Sequence, residues 1–155
     1  MATHRRQAGT TSVEFAIAGV ALFVLLFGVV EVGRMMFART MLEEGVRRAA
    51  RLATVCPLND PAIARAGMFD SGSGGPLLSD LTAGNFNLNY LDASGTVIGN
   101  PGVAFSQIRF VRVGVQNYSF PLLIPFVNLS FVANGISSTL PAESLGVTTT
   151  AVVAC

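Results

Sequence analysis

Residues 10–33 read TTSVEFAIAGVALFVLLFGVVEVG, and from Phe15 to Val30 they carry no charge and no strong hydrogen-bonding side chain. Extended to Val13 and Gly33, the run is long enough as a helix, at roughly 1.5 Å per residue, to cross the ~30 Å hydrocarbon core of a bilayer. Two carboxylates punctuate it, Glu14 at the entrance and Glu31 near the exit. A charge at membrane depth costs about 2.5 kcal/mol or more unless it finds a partner or reaches the surface. The stretch is therefore read as a single membrane span whose acids have something to do.

The helical pattern continues past Gly33. Met35, Phe37, Ala38, Met41, Leu42, Gly45, Val46, Ala49, Ala50 and Ala53 recur at spacings of three and four, the mark of an amphipathic helix. The other face carries Arg39, Glu43, Glu44, Arg47, Arg48 and Arg51. Glu43 with Arg47 and Glu44 with Arg48 stand four apart, acid first, an order worth a few tenths of a kcal/mol per pair. Cys56-Pro57 ends the pattern, because proline disfavours helix in the residue before it. One continuous helix from Thr11 to Val55 is expected, apolar all round in its first half and striped in its second. Glu31 and Arg34, three apart, could pair with each other near the membrane interface; simple residence of Glu31 among lipid headgroups and a contact between subunits are the two readings of their role.

Composition bounds the rest. Of 155 residues only 12% are charged, against about 25% in an average domain. The net charge of +1 offers no case for nucleic acid, and all ten basic residues are arginine, seven of them at or before Arg51. Two cysteines, Cys56 and Cys155, and one histidine, His4, make no metal-ligand cluster. No metal or other cofactor is expected. His4 lies in the first nine residues, no serine stands in G-x-S-x-G and the acids form no close pair, so the chain is not expected to be an enzyme.

Upstream, residues 1–9 read MATHRRQAG, short and basic at Arg5 and Arg6, and ending in Gly9. The apolar run that follows is longer than a secretory signal core and has no A-x-A cleavage site at its end. Gly9-Thr10-Thr11-Ser12-Val13-Glu14-Phe15 resembles the recognition site of a type IV prepilin peptidase. Together with FGVVEVGR at Phe27 to Arg34, it resembles more narrowly the TadE-like minor pilins (pseudopilins) of the tight-adherence, or Flp, pilus. The likeness is dense over residues 5–55 and looser at YSFPLLIPF (118–126) and LPAESLG (140–146).

The resemblance implies cutting between Gly9 and Thr10 on the cytoplasmic side. It also implies assembly through Glu14 and Phe15, with Glu14 pairing with the freed amine of a neighbour's Thr10. A second reading of the same residues is a capping box, Thr11 capping the first turn and Glu14 reaching back. The implied partners are the peptidase, other pilin subunits with their assembly machinery, and the lipid bilayer. The implied location is a single pass through a bacterial inner membrane with the C-terminal domain extracytoplasmic, then the surface pilus. A count of arginines flanking the span points the opposite way; the leader and the cysteines outweigh it.

On this plan the chain divides into a leader (1–9), an assembly half of the helix (10–33), an amphipathic half (34–56) and a β-rich domain (57–155). Asp60-Pro61 opens a short helix that Gly67 closes. The loop Asp70 to Pro76 is glycine-rich but lacks GK[ST] and the strand-then-helix setting of a phosphate site. Phe86, Leu88 and Tyr90 alternate with Asn85, Asn87 and Asn89 as a half-buried strand, turned by Asp92 to Gly95 with a short return at 96–98. Gln107 to Gln116 is the strongest strand, with Val111, Val113 and Val115 on one face and Ile108 and Phe110 on the other. Phe120 to Phe131, which contains Pro121 and Pro125, is too short to span and should be a loop or edge segment packed on the helix or on a neighbour. Gly146 to Cys155 should be a terminal strand.

The fold class is therefore α+β, a long N-terminal helix with a three- or four-stranded antiparallel sheet on its C-terminal half. If the terminal strand returns along the helix, Cys56 and Cys155 meet, in keeping with an extracytoplasmic compartment; two buried thiols are the alternative. The competing functional reading is a tethered extracytoplasmic binding module that never polymerises.

Overall fold

The computed structural model describes residues 7–70, 78, 80–123, 130–147 and 155. Outside them lie the leader through Arg6, most of the glycine-rich loop, part of the proline-broken apolar segment, and the expected terminal strand between Val147 and Cys155.

Helix α1 runs unbroken from Gln7 to Val55, 49 residues, or about 74 Å. It passes through Gly19, Gly28 and Gly33, where a Cβ would meet nothing within 4 Å. The start lies upstream of the expected Thr11. Thr11 is thus an interior helical residue, and the capping box read there does not form in this chain. The first half is exposed on all sides. Contact with the rest of the chain begins at Glu31 and then follows the expected stripe: Ala38, Leu42, Val46, Ala49, Ala50 and Ala53 are each 3% exposed or less. Phe37 departs from the stripe, lying 52% exposed on the outward side.

The charged face pairs differently from the spacing rule. Glu44 meets Arg48 at 3.1 Å as expected, but Glu43 takes Arg39 at 3.1 Å and Arg47 leans on Glu44 at 3.9 Å. All these groups are solvated, where such pairs are worth about 0–1 kcal/mol and rival geometries are nearly equal in energy.

Helix α2, Pro61–Gly67, begins at Asp60, whose Oδ1 accepts the Ala62 N–H at 2.8 Å. It crosses α1 where two glycines meet. A Cβ on Gly45 would collide with the Gly67 carbonyl oxygen, and a Cβ on Gly67 would strike the Phe86 ring at 2.5 Å. Gly45 is therefore required for this crossing. Gly45→Ala gains about 1 kcal/mol of helix propensity but overpacks against a backbone oxygen that Phe86 stops from moving away, a cost of about 1–3 kcal/mol. The variant should unfold at a lower temperature than the parent, whereas Gly33→Ala should not; circular dichroism melts in detergent check both.

Strands β1 (Phe86–Leu91), β2 (Phe110–Val115) and β5 (Ser137–Pro141) form an antiparallel sheet in the order β1-β2-β5. Leu88 faces Val113 across the first pair, and Val113 faces Ser138 across the second. Val111, Val113 and Val115 are buried against α1 as their alternation requires, and Phe110 points outward. Ile108 departs from its expected outer face: it precedes the strand and is buried. The turn after β1 is closed by Asp92, whose carboxylate accepts the N–H groups of Ser94 and Thr96. These bonds and the Ser94 hydroxyl hold its pKa below the usual carboxylate value. The expected return strand is a single bridge, Leu91 to Val97.

Two features differ from expectation. The sheet's third strand is β5, a polar SSTLP segment that ends in proline and pairs with β2. The apolar segment read as packing on the helix or a neighbour has strands at its two ends: β3 (Tyr118–Pro121) and β4 (Ser130–Ala133) form a separate two-stranded sheet. Tyr118, Phe120 and Ala133 bury against α1 and complete the core. The α+β architecture, a long helix with a small antiparallel domain on its second half, is as expected.

Candidate functional site

The first functional stretch is the exposed end of α1. Gly9 and Thr10 lie in its opening turns, so the bond between them is helical and accessible. Glu14 is exposed and makes no hydrogen bond or ion pair among the described residues. Phe15 beside it is 80% exposed. From there to Val30, apolar side chains face outward on every side of the helix, far beyond the few hundred Å² of apolar patch that a soluble monomer tolerates. Among the described residues this is the one helix long and apolar enough to cross a membrane.

Glu31 has the opposite fate. It is 7% exposed, and Arg34 Nη1 approaches its two oxygens at 2.9 and 3.2 Å. The backbone N–H of Leu123, 92 residues away, donates to its Oε1 at 3.2 Å. The Arg34 guanidinium also sits 4.9 Å from the centre of the Phe120 ring, a favourable placement for a cation over a π face. Glu31 and Arg34 thus pair as their spacing allowed, and with Leu123 the pair fastens the β3 end to the helix. Sequence spacing identified Glu31 with Arg34 but carried no signal for Leu123, a backbone donor in a distant segment.

Cys56 and Cys155 are joined by a disulfide with Cα atoms 5.7 Å apart. The Cys155 N–H donates to Asp60 Oδ2 at 3.2 Å, so one carboxylate caps α2 and holds the chain's last residue. The C-terminal region is tied down further by Glu143 and Leu145, which donate to the Thr54 carbonyl, and by Gly146, which donates to that of Val55 at 2.6 Å. These bonds fill carbonyls that the last turn of a helix leaves open. Gly146 has a φ of +77°, and a Cβ there would meet Pro57 at 2.6 Å.

Residues 9–51 match the family model of the TadE-like protein family. The TadE-like match opens on Gly9, takes in Glu14, Phe15, Glu31 and Arg34, and stops before the helix ends. It carries the resemblance read from the same residues and associates this stretch with the tight-adherence pilus. No curated protein and no solved structure matches the chain.

Proposed function

We propose that this chain is a minor pilin of a tight-adherence type IV pilus. It is cut between Gly9 and Thr10 by a prepilin peptidase, held in the inner membrane by the first half of α1 with its domain extracytoplasmic, and drawn into the pilus to assemble or prime it. Glu14 pairs with the new amine of a neighbour's Thr10, so that two charges too costly to leave alone in an apolar setting neutralise each other. The observation that carries this reading is Glu14 itself, exposed and unpartnered among the described residues, five places past Gly9 and the one charged side chain between Gly9 and Val30.

The test is the N-terminus of the protein isolated from cells with and without the peptidase. Sequencing should start at Thr10 in the first case and upstream of Gly9 in the second. An uncut chain in peptidase-positive cells overturns the reading and leaves a tethered domain.

A further inference from the structure

The β3–β4 hairpin lies at the depth where α1 leaves its apolar surroundings. Taking α1 as membrane-spanning, the exposed residues 9–30 cover about 33 Å, enough for the hydrocarbon core. Glu31 then stands at the boundary between hydrocarbon and headgroups. The Leu123 N–H is bonded to that carboxylate, so the end of β3 sits at the same level. The direction of the hairpin follows from its two ends. Tyr118 and Ala133, paired at one end, line a groove with Ala38 and Leu42 farther along α1. Pro121 and Ser130, paired at the other, lead to Glu31 through Leu123, so this end points toward the bilayer.

The exposed side chains there suit lipid better than water. Leu123 is 66% exposed, Val132 47% and Phe131 43%. At the same level of the helix Val32, Met36 and Phe37, on sides turned away from the core stripe, are all more than half exposed. Between this surface and the span stands Arg34, held on Glu31 and over the Phe120 ring, and the solvated Arg–Glu face starts at Arg39. The acid that would oppose such a seat is neutralised by Arg34 and covered by β3.

We propose that the Pro121–Leu123 end of the β3–β4 hairpin, with Phe131 beside it, is a second membrane contact. It seats the domain in the leaflet from which α1 emerges, with Leu123 and Phe131 at the acyl–headgroup boundary. The inference rests on α1 crossing the bilayer, and the test separates the two.

The chain contains no tryptophan, so single-Trp variants report depth directly. Leu123→Trp, Phe131→Trp, Val20→Trp and Val103→Trp are reconstituted as full-length protein in phosphatidylcholine/phosphatidylglycerol vesicles with brominated acyl chains. Val103, 84% exposed, serves as the distant control. It lies in the loop before the end of β2 that leads, through Arg109 and Ala142, to Glu143 and its bond with Thr54. That is about 35 Å of helix beyond Glu31.

Trp at 123 and 131 should lose about half its emission to bromines near the glycerol backbone, the depth of a side chain seated about 5–10 Å into the interface. Trp at 20 should be quenched most by bromines deep in the chain, and Trp at 103 not at all. Quenching at 20 with none at 123 or 131 overturns the hairpin contact and leaves the span intact, assigning the apolar end to another protein. No quenching at 20 removes the span and the hairpin contact together.

Discussion

Glu14→Ala chains should fold, insert and be cut like the parent, yet be recovered in sheared surface filaments at least about tenfold less. The Glu14 side chain makes no hydrogen bond or ion pair among the described residues and lies outside the domain, so the domain's melting temperature should not move. In the filament its removal would strand a neighbour's amine in apolar surroundings at a cost of about 2.5 kcal/mol or more. At 1.4 kcal/mol per factor of ten, that exceeds tenfold in an assembly equilibrium. Glu14→Asp, which keeps the charge on a shorter arm, should recover part of the loss. Quantitative immunoblots of sheared and cell-bound fractions check it. Equal recovery of the Ala variant would leave Glu14 without the role proposed for it.

Cys155→Ser should lower the domain's stability by about 4–5 kcal/mol, the chain-entropy value for a loop of this size; the bridge spans a sequence separation of 99. A small domain has only about 5–15 kcal/mol in total, and each kcal/mol moves its midpoint by about 4–8 °C. The thermal midpoint should therefore fall by roughly 15–40 °C. The parent treated with reductant should melt with the variant, and the variant should ignore reductant. The effect is large because the C-terminal region is what closes the last turn of α1, through bonds to the Thr54 and Val55 carbonyls. Coincident melts of parent and variant in oxidising buffer would show that those bonds and Asp60 hold the terminus unaided.

Much of the chain was legible because its signals are local. The apolar run, the stripe after Gly33 and the Cys56-Pro57 stop mark one long helix within a few residues of its ends. Asp60-Pro61 places α2, and period-two alternation places β1 and β2. What alternation cannot supply is a partner. β5 is polar and short, and is a strand only because β2 offers it an open edge in register. The hairpin's prolines left loop and edge segment both open; Pro121 is tolerated at a strand's end, where a missing N–H costs the ladder little. Gly45 entered the stripe by its spacing alone, whereas its role is to let the backbone of α2 approach.

The two acids of the opening stretch show where the division falls. Composition and spacing determined that α1 exists, that its first half is apolar on every side, and that Glu14 and Glu31 interrupt it at defined places, because helical rise and periodicity are properties of consecutive residues. Only the tertiary structure decided their different fates. Glu31 is covered and satisfied by a segment 92 residues away, while Glu14 lies beyond the reach of the domain and remains bare. Contacts between segments distant in sequence depend on how the sheet and hairpin close over the helix, and no local pattern encodes that closure.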